Sequence, residues 1–159
     1  MNEHIMHKTY FATYLHALDQ LDDVEGVLGD EYPIHPPEPD HGYDCTPRNA
    51  MTFGAMGVDG VHYAILTIDC VVRDDSPVIQ ICPMDFDDLY QVKAESFLAF
   101  LAAACDVSVR EMEAIFITEQ EGKLTLVEFL RTQFKMSRLW DDERNKRLAG
   151  YLAYIVPKT

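Results

Sequence analysis

The densest set of possible metal ligands in this sequence lies between residues 35 and 45, which read His-Pro-Pro-Glu-Pro-Asp-His-Gly-Tyr-Asp-Cys. Two imidazoles, three carboxylates and one thiol could together hold a zinc ion. Their spacing, however, matches neither two histidines one helical turn apart nor paired Cys-x-x-Cys knuckles. We therefore interpret the stretch from His35 to Cys45 as a polar surface loop, with a metal-dependent hydrolase as a remote alternative. The prediction is that the chain uses no metal ion and no cofactor.

A second arrangement with possible chemistry is His62 as a general base, with Asp59 close to it in sequence. A general base needs a nucleophile within hydrogen-bond reach and a carboxylate that orients the imidazole. Ser76, Cys70 and Cys82 are nominal nucleophiles, but a serine that precedes a proline is better explained by turn chemistry. We therefore predict that His62 is a hydrogen-bonded structural residue and that the chain is not an enzyme.

The glycine pattern and the charge of the chain argue against phosphate-bearing ligands. Gly54, Gly57 and Gly60 recur every third residue, without the strand-to-helix setting and the lysine of a phosphate-binding loop. The chain has 27 acids against 13 Lys and Arg residues, a formal net charge of -14. Because nucleic acids and anionic membranes repel a net anion, we expect binding to neither. A cationic protein partner is attracted instead, although acidity alone also keeps a cytosolic protein soluble.

A group of acids in predicted turns is the candidate partner-binding surface. Its members are Asp69, Asp74, Asp75, Asp85, Asp87 and Asp88, together with Glu38, Asp40 and Asp44 of the proline-rich loop. If the turns and the loop share one edge of the fold, these side chains form a negative rim. Such a rim steers a basic partner and raises the association rate more than the final affinity, so apolar anchors must supply the binding energy. The alternative is a solvated acidic surface without a partner.

Three short apolar runs position these turns. Residues 51–56, 61–68 and 78–82 are bounded by Gly, Pro, Asp or Ser and are enriched in β-branched and aromatic residues, a pattern typical of strands. Asp59-Gly60 permits a tight hairpin between the first two runs, because glycine takes positive φ at little steric cost. Proline residues mark the beginning and the end of the third strand. We predict a small antiparallel meander.

Helical periodicity occupies much of the remaining chain, with apolar residues at spacings of three and four. The predicted helices span residues 9–21, 89–104, 108–117, 125–134 and 142–154. Capping boxes at Ser108–Glu111 and Thr125–Glu128 mark the beginnings of two of them. Residues 22–44 lack periodicity and gather prolines, which predicts an unusually long loop.

These elements predict one α+β domain spanning residues 1–159. An N-terminal helix precedes the small antiparallel sheet, and the helical C-terminal half packs on one face of that sheet. No apolar run approaches the roughly 20 residues needed to cross a bilayer, and the first residues lack the layout of a secretory signal. The four cysteines are scattered along the chain, which predicts reduced thiols. We therefore expect a cytosolic protein.

The strand region also resembles a known family. Residues 53–63, Phe-Gly-Ala-Met-Gly-Val-Asp-Gly-Val-His-Tyr, followed by Ser-Pro-Val at 76–78 and Pro-Met-Asp-Phe at 83–86, are similar to the core of the SUKH superfamily. In that family a helix with a Phe-Leu-x-x-Leu-like pattern follows the strands and ends near a cysteine. Residues 97–101, Phe-Leu-Ala-Phe-Leu, and Cys105 resemble this helix.

The SUKH superfamily contains bacterial immunity proteins and a yeast cell-wall regulator, so the resemblance implies a non-enzymatic, SUKH-like binding domain. Immunity proteins of this kind neutralise toxins, often nucleases, by docking to them. The acidity of the chain fits this function, because an acidic surface can occupy the basic cleft that otherwise receives phosphates. The expected partner is therefore a basic toxin domain. The alternative is an intracellular adaptor or regulatory module that binds other proteins without a toxin.

Overall fold

The structure, a computed structural model, describes residues 9–39 and 43–158. Its first helix, α1, spans Tyr10–Asp19. The strands are β1 (Tyr32–Glu38), β2 (Ala50–Ala55), β3 (His62–Leu66), β4 (Val78–Ile81) and β5 (Tyr90–Ala94). The later helices are α2 (Phe97–Ala104), α3 (Val109–Gln120), α4 (Leu126–Gln133) and α5 (Asp142–Leu148), with 3-10 helices at Met136–Leu139 and Ala149–Tyr154. The predicted α+β class is confirmed.

The five strands form one antiparallel sheet in the order β1-β2-β3-β4-β5. The predicted meander is confirmed for the three central strands, and one further strand lies on each side of them. Because each strand reverses direction, consecutive connections lie at opposite ends of the sheet. We call the end where Ala50 pairs with Leu66 the Leu66 end, and the end where Ala55 pairs with His62 the His62 end.

Alternation of side chains along the strands gives the sheet two apolar faces. On the first face, Phe53 and Tyr63 belong to the main core, which also contains residues of α1 to α4. On the second face, Ala64 and Leu66 pack in a smaller cluster with Leu148 of α5. The predicted packing of the C-terminal half on one face is therefore correct for α2 to α4. It is wrong from α5 onward, because α5 packs beside β5 at the edge of the sheet and leads the chain to the second face.

Phe97, the first residue of α2, lies at the centre of an aromatic cluster in the main core. Its ring centroid lies 5.0 Å from that of Phe11, 5.1 Å from that of Tyr14 and 5.3 Å from that of Phe53, all in edge-to-face geometry. Such pairs add about 0.5–1.5 kcal/mol each beyond the burial of their area. The hydroxyl of Ser96 accepts a 3.0 Å backbone hydrogen bond within the first turn of α2. The cap and the cluster together hold α2 on the first face.

β1 lies within the segment that the sequence predicts as a long loop. Its sequence, Tyr-Pro-Ile-His-Pro-Pro-Glu, contains three prolines, which lack the N–H group of a ladder hydrogen bond. Such a strand is tolerated at a sheet edge, and β1 is an edge strand that pairs with β2. Its pairing shifts register between Pro33 and Glu38. The prediction of an irregular segment over residues 22–44 is therefore wrong for β1, because prolines exclude a central strand but permit an edge strand.

A second correction concerns the beginning of α2. The sequence predicts a helix over residues 89–104, but Tyr90–Ala94 form β5 and the helix begins at Phe97. Ladder hydrogen bonds to β4 and the burial of Val92 outweigh the modest helix preference of this stretch. The overlooked signal is Ser96, a favourable residue for the N-cap of a helix.

The beginning of α4 is capped by a residue of α3. Glu119 is buried, and its Oε1 accepts hydrogen bonds from the backbone N–H groups of Thr125, at 3.0 Å, and Leu126, at 2.9 Å. The capping box predicted at Ser108 is confirmed in its main bond, since Ser108 Oγ accepts from the Glu111 amide at 3.0 Å. The box predicted at Thr125 is wrong, because its side chain makes no capping hydrogen bond and the Glu119 carboxylate takes that place.

Glu119→Ala is expected to lower the free energy of unfolding by about 1–2 kcal/mol, because two helix N–H groups lose a charged acceptor. Thr125→Ala is the matched control and should change the free energy of unfolding by less than about 0.5 kcal/mol. Urea denaturation followed by circular dichroism measures both variants. Equal losses, or a larger loss for Thr125→Ala, would contradict the assignment of the cap.

The last predicted helix, over residues 142–154, is divided in two. α5 begins after Asp141, whose carboxylate accepts from the N–H groups of Glu143 and Arg144, and it ends at Leu148. A 3-10 helix continues the chain to Tyr154. Across the part of the chain that the structure describes, every helix is too short or too polar to cross a membrane.

Candidate functional site

Six of the acids predicted as a single negative rim, those of the two later strand connections, fall into two groups at opposite ends of the sheet. The connection between β3 and β4, which carries the acids of residues 69–75, lies at the Leu66 end. The connection between β4 and β5, which carries the acids of residues 85–88, lies at the His62 end. A partner that docks at one end therefore meets one of the two groups.

The acids at the Leu66 end have roles within the fold. The Asp74 carboxylate accepts a 2.9 Å hydrogen bond from the backbone N–H of Tyr10, at the beginning of α1. Asp75 forms an ion pair with Arg73, whose Nε lies 3.1 Å from Asp75 Oδ1. Asp69 lies in a tight turn and has a positive φ of 53°, which aspartate tolerates better than most residues. These contacts account for the three acids without a binding partner.

The three acids predicted in the long loop are placed separately. Glu38 is the exposed last residue of β1. Asp40 lies outside the described residues. Asp44 is exposed, and it precedes Cys45, whose carbonyl accepts a hydrogen bond from the Tyr90 hydroxyl beside the second face of the sheet. Asp44 is thereby held near the beginning of β5.

The connection between β4 and β5 presents two large apolar side chains to solvent. Phe86 is 87% exposed and Met84 is 72% exposed. The sequence from 84 to 88, Met-Asp-Phe-Asp-Asp, places acids on both sides of Phe86. The backbone N–H of Asp88 donates both to the Asp85 carbonyl, at 3.2 Å, and to Asp85 Oδ1, at 3.1 Å. Phe86 is therefore exposed on a hydrogen-bonded turn.

The turn between β2 and β3 lies at the same end of the sheet. The predicted hairpin is confirmed there, with positive φ values of 55° at Asp59 and 71° at Gly60. The backbone N–H of Val61 closes the turn by donating to the Val58 carbonyl at 3.2 Å. Both Val58 and Asp59 are exposed. The exposed residues of this end form what we call the Phe86 surface, which consists of Val58, Asp59, Met84, Asp85, Phe86, Asp87 and Asp88.

The sequence identifies the acids of the Phe86 surface but does not predict the exposure of its apolar members. Met84 and Phe86 belong to the motif that resembles a family core, and the sequence predicts a helix after them, whereas the structure has strand β5 there. The signal that distinguishes them is local, because a lone aromatic residue between acids has no apolar periodicity around it. Such a residue has no core face to join and remains in solvent.

His62 is a buried, hydrogen-bonded residue, as predicted. Its Nδ1 lies 2.7 Å from the Gly60 carbonyl oxygen, and its Nε2 lies 3.0 Å from Thr46 Oγ1. Because a carbonyl only accepts, Nδ1 carries a proton, and in the neutral imidazole Nε2 accepts from the Thr46 hydroxyl. The Tyr43 ring stacks on the imidazole with 5.2 Å between centroids. Ser76 likewise serves a turn, since its Oγ accepts a 2.8 Å hydrogen bond from a backbone N–H three residues earlier.

Two of the possible metal ligands, His35 and Cys45, lie on different sides of the sheet. His35 is in β1 and pairs with Asp19 of α1, with 2.5 Å between Nε2 and Oδ1. Cys45 packs against the cluster on the second face. Residues 40–42 lie outside the described part of the chain. Among residues 9–39 and 43–158, no three His, Cys, Asp or Glu side chains are grouped so that they could hold a metal ion.

A further feature, which the sequence did not predict, is a cleft beside the beginning of β1. It has a volume of about 350 Å³ and is lined by residues 29–31 on one side and by residues 134–137 and Trp140 on the other. We call it the Glu31 cleft. It lies on the first face of the sheet, since residues of the second wall belong to the main core.

Glu31 is the unusual residue of this cleft. It is only 4% exposed, and its Oε2 atom is buried without a hydrogen-bond partner among the described residues. Burial, with a smaller contribution from the charge of Asp30, raises the pKa of Glu31 to about 7. A carboxyl group that titrates near neutrality beside a cleft is a candidate functional group.

Other buried polar atoms lie on the same face. The Tyr63 hydroxyl and Gln80 Oε1 have no hydrogen-bond partner in the described parts of the chain, and the two residues are paired across β3 and β4. Burial raises the pKa of Tyr63, and the charge of Glu31 adds to this effect. The Lys93 ammonium is also buried, and it donates to the Leu139 carbonyl at 3.4 Å. Burial lowers the pKa of this lysine.

No protein-family model, no curated protein and no solved structure matches this chain. The resemblance to the SUKH superfamily stays a prediction from the sequence motifs. The fold and its surfaces define an α+β domain with a five-stranded antiparallel meander, an acidic surface with an aromatic residue at the His62 end, and a cleft that contains a buried carboxyl group.

Proposed function

We propose that this protein is a non-enzymatic binding protein that docks to a basic protein partner through the Phe86 surface. The observation that carries the proposal is the 87% exposure of Phe86 on a turn fixed by hydrogen bonds. Exposure of a large apolar side chain to water is unfavourable, so its burial against an apolar surface of a partner stabilises the complex. Aromatic residues are also common among the few residues that dominate the affinity of an interface.

Charge determines which partner fits this surface. Asp85, Asp87 and Asp88 surround Phe86 in sequence, and the whole chain carries a formal net charge of -14. Carboxylates around an apolar anchor favour a partner whose apolar pocket is bordered by Lys and Arg. Charges at the rim act mainly on the association rate, and salt screens them. Phe86 and Met84 therefore supply affinity, and the acids supply steering.

The partner that we propose is a toxin domain with a basic cleft, and the function is that of an immunity protein. This proposal follows the SUKH resemblance. A nuclease cleft is basic because it receives phosphates, so an acidic protein that occupies it excludes the nucleic acid. The alternative is an adaptor or regulatory module that uses the same surface. The two functions differ in whether the enzymatic activity of the partner is lost on binding.

A non-enzymatic function is supported by the way in which the candidate catalytic residues are used. Both ring nitrogens of His62 are engaged, one with Gly60 and the other with Thr46. Ser76 Oγ accepts from the backbone of its own turn. These side chains hold connections of the sheet in place, which is a sufficient reason for their presence.

Phe86→Ala is expected to weaken capture of the partner strongly. Tagged wild-type protein, Phe86→Ala and Val71→Ala are each used to capture proteins from the native cell lysate. Val71 is the matched control, because it is 56% exposed but lies at the Leu66 end. We expect one stoichiometric basic partner with the wild type and with Val71→Ala, and an affinity lowered by about 30-fold or more with Phe86→Ala.

Equal capture by all three proteins would overturn the assignment of the surface. The purified partner then separates the two functions. Loss of its nuclease activity at one equivalent of this protein indicates an immunity protein, whereas binding without loss of any activity indicates an adaptor.

Replacing Asp87 and Asp88 by Asn is expected to slow association with the basic partner by about two- to tenfold and to reduce its salt dependence, because two steering charges are removed. The matched control replaces Asp69 and Asp75 by Asn, which removes the same charge from the Leu66 end. Stopped-flow association rates at low and high salt measure both variants. Equal slowing by the two pairs would show that only net charge matters.

A further inference from the structure

We propose that the Glu31 cleft is a binding site for a guanidinium group, which the Glu31 carboxylate accepts and the Trp140 ring covers. The site is separate from the Phe86 surface, and the inference does not rest on the function proposed above. It rests on the shape of the cleft, on the unpartnered carboxylate within it, and on the aromatic side chain that lines it.

The cleft is preformed by a tight turn. The Glu31 N–H donates to the Leu28 carbonyl at 3.0 Å and closes a turn that contains Gly29 and Asp30. Gly29 has a φ of +64°, and a Cβ atom at this position would lie 3.2 Å from the Phe134 carbonyl oxygen. Both the backbone conformation and the close approach therefore favour glycine. The turn holds Glu31 in a fixed position opposite the end of α4.

The described residues supply no donor to Glu31 Oε2, which is buried in the wall of the cleft, so a ligand reaches this atom when the side chain turns toward the cleft. The side chain is buried, and its Oε2 has no partner among the described residues. An ionised carboxylate only accepts hydrogen bonds, so the group that satisfies it must donate. The cleft is also lined by one further acid, Asp30, and by one base, Lys135. With Glu31 ionised, the two acids and Lys135 leave the cleft with one net negative charge, which favours a ligand with a single positive charge.

A guanidinium group fits this cleft better than a compact ammonium. It is planar, its N–H donors form a rigid fork that suits a carboxylate acceptor, and it stacks on aromatic rings. Trp140 lines the same cleft and is 64% exposed. A volume of about 350 Å³ is enough for an arginine side chain and lies at the small end of ligand sites. An ammonium would also satisfy the carboxylate and form a cation–π contact with the indole, but it has no plane to stack on the ring.

Protonation of Glu31 gives the proposed site a pH dependence. Burial, and then the charge of Asp30, raises the pKa of Glu31 to about 7. The other titratable groups nearby are Lys135, which lines the cleft, and Tyr63, whose phenol stays protonated because burial raises its pKa. Guanidinium binds the ionised carboxylate, so its affinity should rise with pH through about 7 and a proton should be released on binding.

Trp140 is the only tryptophan of the chain, so its fluorescence reports on the cleft directly. The probe is N-acetylarginine amide, titrated into the full-length protein. The neutral citrulline derivative controls for shape, and sodium chloride controls for ionic strength. We expect a saturable change in fluorescence with the arginine probe, and none with the citrulline derivative or the salt.

Glu31→Gln should weaken binding of the probe by about tenfold or more, because the charged acceptor is lost. Glu25→Gln is the matched control, since it removes the same charge from an exposed position, and it should bind like the wild type. Equal affinities of Glu31→Gln and wild type, or the absence of saturation in the wild type, would overturn the proposal.

An NMR titration of the wild type with the probe tests the site without any variant, and therefore remains informative if Glu31→Gln does not fold. The backbone amide resonances of the wild type should shift at residues 29–31 and 134–137, and shifts confined to other regions would contradict the site.

The natural source of the guanidinium group is distinguished by a second probe. A short peptide with one arginine between glycines presents the same group on a protein-like backbone. If it binds about tenfold more tightly than N-acetylarginine amide, the occupant is an arginine of another protein. If the two affinities are equal, the occupant is a free guanidine compound. In both cases the proposal also requires that Glu31→Gln weakens binding of the probe.

Discussion

At neutral pH and above, Glu31→Gln is expected to be more stable than the wild type by up to about 3 kcal/mol. Burial raises the pKa of Glu31 from its ordinary 4.5 to about 7, so the folded state holds this proton more tightly than the unfolded chain. The stability due to the group is therefore fully present below about pH 4.5 and is lost as the pH rises to about 7. Glutamine has no proton to lose, so the advantage of the variant should grow across this interval and then stay constant.

Urea denaturation of both proteins at a series of pH values measures this difference. Urea is preferable to guanidinium chloride, which would itself occupy the proposed site. Glu25→Gln is again the matched control, because it removes the same charge from an exposed side chain and should change the free energy of unfolding by less than about 0.5 kcal/mol. A pH-independent difference between Glu31→Gln and the wild type would show that Glu31 titrates normally.

Phe97→Ala is expected to lower the free energy of unfolding by about 3–5 kcal/mol, the largest loss that we predict for stability. Phe97 is buried, and its ring is in edge-to-face contact with rings from α1 and β2. Truncation removes apolar area and leaves a cavity where these elements meet. The midpoint and the slope of urea denaturation measure the loss.

Phe86→Ala supplies the matched comparison, because it makes the same change at a residue that is 87% exposed. Its free energy of unfolding should differ from that of the wild type by less than about 0.5 kcal/mol. The pair therefore separates the two uses of phenylalanine in this chain. A large loss of stability in Phe86→Ala would mean that Phe86 packs against the fold and is not available to a partner.

The central strands are predictable because their signals are local. Residues 61–68 alternate between the two faces, and Asp59-Gly60 closes a hairpin without reference to the rest of the chain. The outer strands depend on their neighbours. β1 forms because it pairs with the edge of β2, and β5 forms because it makes ladder hydrogen bonds to β4. Neither pairing can be predicted from the seven residues of β1 or the five residues of β5 alone.

The candidate sites show the same division. The acids are visible in the sequence, but their separation into two groups follows from the direction of each connection. Their division into acids that hold the fold, such as Asp74, and acids around Phe86 follows from contacts with distant segments. No local sequence pattern predicts the burial of Glu31, because that burial results from the packing of the turn before β1 against the segment that follows α4. Such a contact is a property of the packing of the whole domain.

The two edges of the sheet also determine how this molecule associates with others. A strand from another chain needs a row of available N–H and C=O groups along an edge. Along β1 this row is interrupted by three prolines. Along β5 it is covered by α5, from which Arg144 Nε donates to the Lys93 carbonyl at 2.9 Å. Both edges therefore offer few groups to an added strand, and we expect a partner to recognise the protein through side chains and not by extending its sheet.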